Sequence, residues 1–211
     1  MDIIFKLLLL VPVIISSYFL FINIGILSIF PIWLLCGLID VSRHKTMNLK
    51  LIKEYFLGKG FLTFILSPLN LFADLLSFRN LHTFKIEDLP IGHQDEINAV
   101  VSLFDKNSKE ITDRFKENID DNRTMLFYKW YGYKLDESIE EFNNDYKYIK
   151  TIGVSLFRQK TSTSRHFGPL RMTYRILYNF NKVKKEGSYI EADGRINKWK
   201  YEPLFIFDDT L

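Results

Sequence analysis

The densest run of chemically capable residues is Thr161-Ser162-Thr163-Ser164-Arg165-His166-Phe167-Gly168-Pro169, with Arg171 and Arg175 close behind. Of four histidines, His166 is the only one beyond residue 93. A neutral imidazole is the commonest metal ligand, yet a lone loop histidine is more often an ordinary surface residue. Arg175 falls at an alternation point among Tyr174, Ile176 and Leu177. An arginine aimed into a barrel needs an anion, and its planar fork suits a carboxylate. Spacing alone equally allows it to face outward. Phe207-Asp208-Asp209-Thr210 supplies paired carboxylates, which serve acid–base or metal chemistry, or simply a turn.

Elements must hold these groups. Ile97, Val100, Val101, Phe104, Ile111 and Phe115 recur at three- and four-residue spacing, predicting a helix over 95–119. Phe127 to Tyr133 is aromatic and strand-like, and 136–146 reads as acidic helix or loop. Strand signals follow at 151–157, 172–180, 188–192, 196–200 and 204–207, with Asp193-Gly194 as a tight-turn dipeptide between the third and fourth. Short strands joined by turns, preceded by helices, predict an antiparallel sandwich or a jelly-roll-type barrel with a helical N-terminal layer.

The preceding third is of another character. Residues 7–39 carry no charge, a run of 33, whereas a membrane span needs about 20 apolar residues. The run exceeds a secretory h-region of about 7–15 residues. A single span and a tight hairpin turning near Asn23-Ile24-Gly25 both fit it. Arg43, Lys45, Lys50 and Lys53 follow the run, so the positive-inside rule places the C-terminal portion in the cytoplasm. Gly60 to Ala73 is a second charge-free stretch, interrupted by Pro68, and reads as interfacial or as a buried helix. These readings divide the chain into a transmembrane anchor over 1–42, a membrane-proximal basic segment over 43–80 and a mainly β domain over 81–211. Bilayer contact runs through residues 7–39.

The net charge of +3, from 28 basic and 25 acidic residues, is too balanced to point to nucleic acid. The single cysteine, Cys36, excludes an intrachain disulfide and a multi-cysteine zinc site.

From about Asn80 onward the chain resembles the aspartyl/asparaginyl β-hydroxylases, a family that includes lipid A hydroxylases. Six pieces carry the resemblance in order. They are the aromatic stretch Leu126 to Tyr131, Ser155 eleven residues before His166, and His166-Phe167-Gly168-Pro169 as the family's His-x-Gly-Pro. Arg175, nine residues after the histidine, matches its strand arginine. Asp193-Gly194 with Trp199 matches its hairpin, and Ile206 to Thr210 its Phe-Asp-Asp-Ser/Thr segment.

The resemblance implies a double-stranded β-helix (jelly-roll or cupin-like) behind the anchor, with its closing strands missing. It implies Fe(II) as cofactor and 2-oxoglutarate as cosubstrate. His166 would be the first iron ligand, Ser155 and Arg175 would hold cosubstrate carboxylates, and Asp208 and Asp209 would shape the turn before a second ligand. That second histidine and a further arginine fall beyond Leu211, and Leu177 stands where typical members have a histidine. The implied activity is hydroxylation of a lipid acyl chain or of a peptidyl Asp/Asn side chain. The alternative is a catalytically inactive, membrane-anchored relative that acts in binding.

Overall fold

A computed structural model describes residues 29–44, 47–76, 83–117, 123–157, 161–163, 166–169, 171, 173–184, 186–192 and 194–208, with 15, 18, 19, 22 and 23 as isolated positions. Most of the 7–28 stretch, Asp193 and Asp209 to Leu211 lie outside the described residues.

Among the described elements four helices come first: α1 (Ile29–Val41), α2 (Leu49–Leu57), α3 (Phe61–Ile65) and α4 (Ser67–Leu76). The Asn48 side chain caps α2 by accepting from the Leu51 amide at 2.9 Å. Gly58 follows its last turn. Val41, Leu51, Tyr55 and Phe64 form the core of this layer, and Cys36, Ile39 and Leu71 a second cluster beside it. Gly60 to Ala73, read as interfacial or buried, forms α3 and most of α4: Thr63, Phe64, Ser67, Asn70 and Leu71 are buried, while Phe61, Leu62, Ile65, Leu69 and Phe72 are exposed.

The chain then forms β1 (Thr83–Phe84), α5 (Ile91–Lys106) and α6 (Ser108–Glu117). The single helix expected over 95–119 is broken at Asn107, whose side-chain amide donates to the Leu103 carbonyl at 2.9 Å. After these come β2 (Arg123–Trp130), β3 (Tyr133–Lys134), β4 (Ile152–Phe157), β5 (Tyr174–Tyr178), β6 (Tyr189–Ala192), β7 (Arg195–Lys198) and β8 (Leu204–Asp208).

Among the described residues the strands make three small antiparallel sheets, ordered β3-β2-β4, β1-β8-β5 and β6-β7. α5 and α6 lay Val100, Ile111 and Phe115 on Tyr128 of β2 and on Ile152 and Val154 of β4, with Ile139 and Phe142 closing that core. Each such side chain contributes roughly 1.5–3 kcal/mol through burial. Glu96 ties α5 to the approach to β4, accepting from the amides of Lys147, Tyr148 and Ile149 at 2.6, 2.9 and 3.0 Å.

β8 shows why its sequence is continuously apolar. Ile206 packs on Phe84, Leu89 and Ile97, while Phe205 and Phe207 pack on Ala192 with Leu177, Ile190 and Trp199. A strand covered on both faces has no polar side to alternate with.

Three expectations are corrected. Among the described residues helix exceeds strand, and the strands form sheets of three, three and two, so the expected mainly β fold and double-stranded β-helix are not what forms. Local strand signals predicted strands but not their pairing partners, which long-range packing decides. Among the described residues no helix is long and apolar enough to cross a membrane, against the transmembrane segment and the membrane localisation expected from residues 7–39, most of whose first two thirds lies outside the described residues. Finally, among the described residues no three His, Cys, Asp or Glu side chains come together as a metal site.

Candidate functional site

The polar centre of the molecule lies where the 166–171 segment meets the helical layer. Asp40, in the last turn of α1, is only 2% exposed. Burying a lone carboxylate at the end of an apolar helix is costly, so it must be paired. α2 supplies Tyr55, whose hydroxyl donates to Asp40 Oδ2 at 2.6 Å. Arg171 donates one guanidinium nitrogen to Asp40 Oδ1 and the other to Asp74 Oδ2 of α4, the latter at 2.6 Å. Arg43 lies 3.2 Å from Asp74 Oδ2 and 3.9 Å from Asp40 Oδ1.

Backbone groups join the same junction. Thr63 Oγ1 donates to the Gly168 carbonyl at 2.9 Å, and Asn70 Nδ2 to the Pro169 carbonyl at 3.2 Å. The Arg171 amide donates to Asn70 Oδ1 at 3.0 Å. The Phe167 ring meets Tyr55 edge-on at 5.6 Å and His44 at 5.3 Å between centroids. Gly60 permits this approach, because a Cβ there would stand 2.9 Å from the Phe167 ring and 2.6 Å from the Tyr55 Cα.

Burial pushes the Asp40 carboxyl up to about 6, against the Tyr55 hydrogen bond and the positive charge of Arg43 and His44, while Asp208 adds to the rise. Burial, with the Asp40 charge beside it, also raises the Tyr55 hydroxyl, which therefore remains a donor.

The residues singled out from sequence do not converge. His166 is exposed on its loop. Ser155 is half-buried on β4 opposite Met125, and its hydroxyl accepts from Arg123 at 3.4 Å. Arg175 is exposed on β5 opposite Phe207. Ser155 and Arg175 thus belong to different sheets. Leu177 fills an apolar cluster with Phe205, Phe207 and Trp199. Tyr178, the next residue, donates to Asp105 Oδ1 at 2.7 Å. Burial, then Asp105, raises its hydroxyl to about 12. Asp208 ends β8, buried, opposite Tyr174. Asp209 lies outside the described residues.

The buried arginine in search of an anion is therefore Arg171, four residues before the one expected, and its anions come from the helical layer. A signal for this was present. Asp40 and Asp74 each sit at the far end of a charge-free stretch, where a carboxylate drawn into a core demands a cation.

No protein-family model, curated protein or solved structure matches the chain.

Proposed function

We propose that this chain is a non-catalytic binding protein related to the aspartyl/asparaginyl β-hydroxylases. The ordered motifs support the relationship, from Ser155 and His166-Phe167-Gly168-Pro169 through Arg175 to Phe207-Asp208. One observation carries the non-catalytic part: the groups of the histidine segment are committed to the fold. Arg171 is held by Asp40 and Asp74, and the Gly168 and Pro169 carbonyls by Thr63 and Asn70. An iron(II) centre would draw on His166, but among the described residues no further pair of donors joins it. The described residues do not fit a complete iron site.

The surface best suited to a protein partner is the β2–β3 hairpin tip. Trp130, Tyr131 and Tyr133 are 43%, 67% and 75% exposed. The turn is fixed: the Gly132 amide donates to the Lys150 carbonyl at 2.8 Å, and the Tyr131 amide to Thr151 Oγ1 at 3.2 Å. Trp130 packs edge-on against Phe127 and Tyr131 at 4.7 and 5.1 Å. Pre-positioned aromatic side chains are the type that dominates binding energy at interfaces, because little rotamer entropy remains to lose.

The second reading is iron- and 2-oxoglutarate-dependent hydroxylation of an acyl chain or an Asp/Asn side chain. What favours it is the pairing of Tyr174 with Asp208, which sets the strand following the His166 loop beside the strand ending in the Phe-Asp segment. Succinate release from 2-oxoglutarate, measured on the chain with iron(II) and ascorbate, separates the two. The binding reading expects none above the protein-free background; turnover that disappears in His166→Ala sinks it.

A further inference from the structure

We infer that the 166–171 segment and the helical layer form an interlock, with Arg171 as its bolt, so that the helices of residues 29–76 set how His166 and Phe167 are presented. The inference stands on contacts alone and holds whichever functional reading is right.

The helical layer holds its own apolar clusters, around Val41–Phe64 and around Cys36–Leu71. At the junction, four helices reach one short stretch of chain. α1 offers Asp40, α3 offers Thr63, and α4 offers Asn70 and Asp74. α2 contributes the Tyr55 ring and hydroxyl. The sequence separations are 97 to 131 residues, so no local preference can build this contact.

The chemistry makes the junction all-or-none. Asn70 uses both ends of its amide on the segment, donating to Pro169 and accepting from Arg171. Arg171 bridges two carboxylates that are 2% and 3% exposed. Withdrawing the guanidinium would strand both carboxylates with Arg43 as their shared cation. A buried ion cluster that loses one member is strongly destabilised, because the remaining charges cannot recover their hydration. Partial docking is therefore disfavoured. The segment is either seated with all its partners or released from all of them, and His166 and Phe167, at its start, follow it.

Hydrogen–deuterium exchange of the full chain reads this directly, since the Arg171 backbone amide is itself one of the bonds. Arg171→Met should accelerate exchange at residue 171 and at the neighbouring amides roughly a hundredfold or more, with β2 and β4 unchanged. Asn70→Ala breaks the same junction without stranding a charge, and should accelerate exchange there about tenfold. It keeps the test decisive if Arg171→Met does not fold. Arg171→Lys, which retains the charge but not the fork, should fall between wild type and Arg171→Met. Unchanged exchange at residue 171 in Asn70→Ala overturns the inference. So does acceleration spread equally over β2 and β4, which would make the junction a general stability element rather than a local lock.

Discussion

Replacing Asp40 with asparagine isolates the electrostatics of the junction. The Asp40 carboxyl rises from 3.8 to about 6 because burial disfavours its charged form more than Tyr55, Arg43 and His44 favour it. The groups facing it are Cys36, Arg43 and His44 from its own end of the chain, Tyr55 from α2, Asp74 from α4, Arg171 from the docked segment and Asp208 from β8. A raised acid pKa means that the folded state binds the proton more tightly than the unfolded state does. The associated stability is fully present below pH 3.8 and is lost as pH rises through 6. The whole swing is about 3 kcal/mol, of which about 1 kcal/mol falls between pH 5 and pH 8. The asparagine side chain cannot titrate, so the wild-type slope should flatten by that amount in the variant. Urea unfolding of both proteins at pH 5 and pH 8 gives the comparison as a difference, in which other titrating groups cancel. An identical slope in the two proteins would refute the reasoning. A steeper loss of stability in Asp40→Asn at pH 8 than at pH 5 would also refute it, by showing that attraction to the arginines outweighs burial.

Asp136 shows the opposite behaviour. Arg114 donates to both oxygens of Asp136, at 3.2 and 2.6 Å, and with Ser138 holds that carboxyl down at about 2. Its stability is present above pH 4 and lost as pH falls toward 2; with the arginine a third exposed, solvent screening leaves about 1 kcal/mol, which Asp136→Asn should remove at pH 7 but not at pH 2 in thermal melts. Phe142 is fully buried against Phe104 and Tyr128, at 4.7 Å from each ring, so Phe142→Ala should cost about 3–5 kcal/mol in urea unfolding. A loss below 1 kcal/mol would show that the α5–α6 core is not packed as described.

How much of this was legible in the sequence depends on range. The β strands appear near their apolar runs, and Gly194, at φ 76°, takes the left-handed conformation that the Asp-Gly dipeptide announces. The tyrosine after Trp130 was not foreseen as a turn, since a non-glycine residue at φ 46° is set by its hydrogen bond to Thr151 and by the neighbouring Gly132 rather than by preference. The barrel expectation failed for a different reason. Alternation tells which face of a strand is buried, not which strand lies beside it, and β8 pairs with β1, more than a hundred residues earlier. The junction failed in the same way. Arg171 and Arg175 look alike as sequence, and only the positions of Asp40 and Asp74 across the fold decide which is buried.

The central claim is that the His166 segment is committed to the fold rather than to an iron-dependent reaction. The most direct measurement is succinate formed from 2-oxoglutarate by the purified full chain loaded with iron(II), with His166→Ala alongside. The account predicts the same background signal from both proteins. Succinate formed by the wild type and abolished by His166→Ala would contradict it.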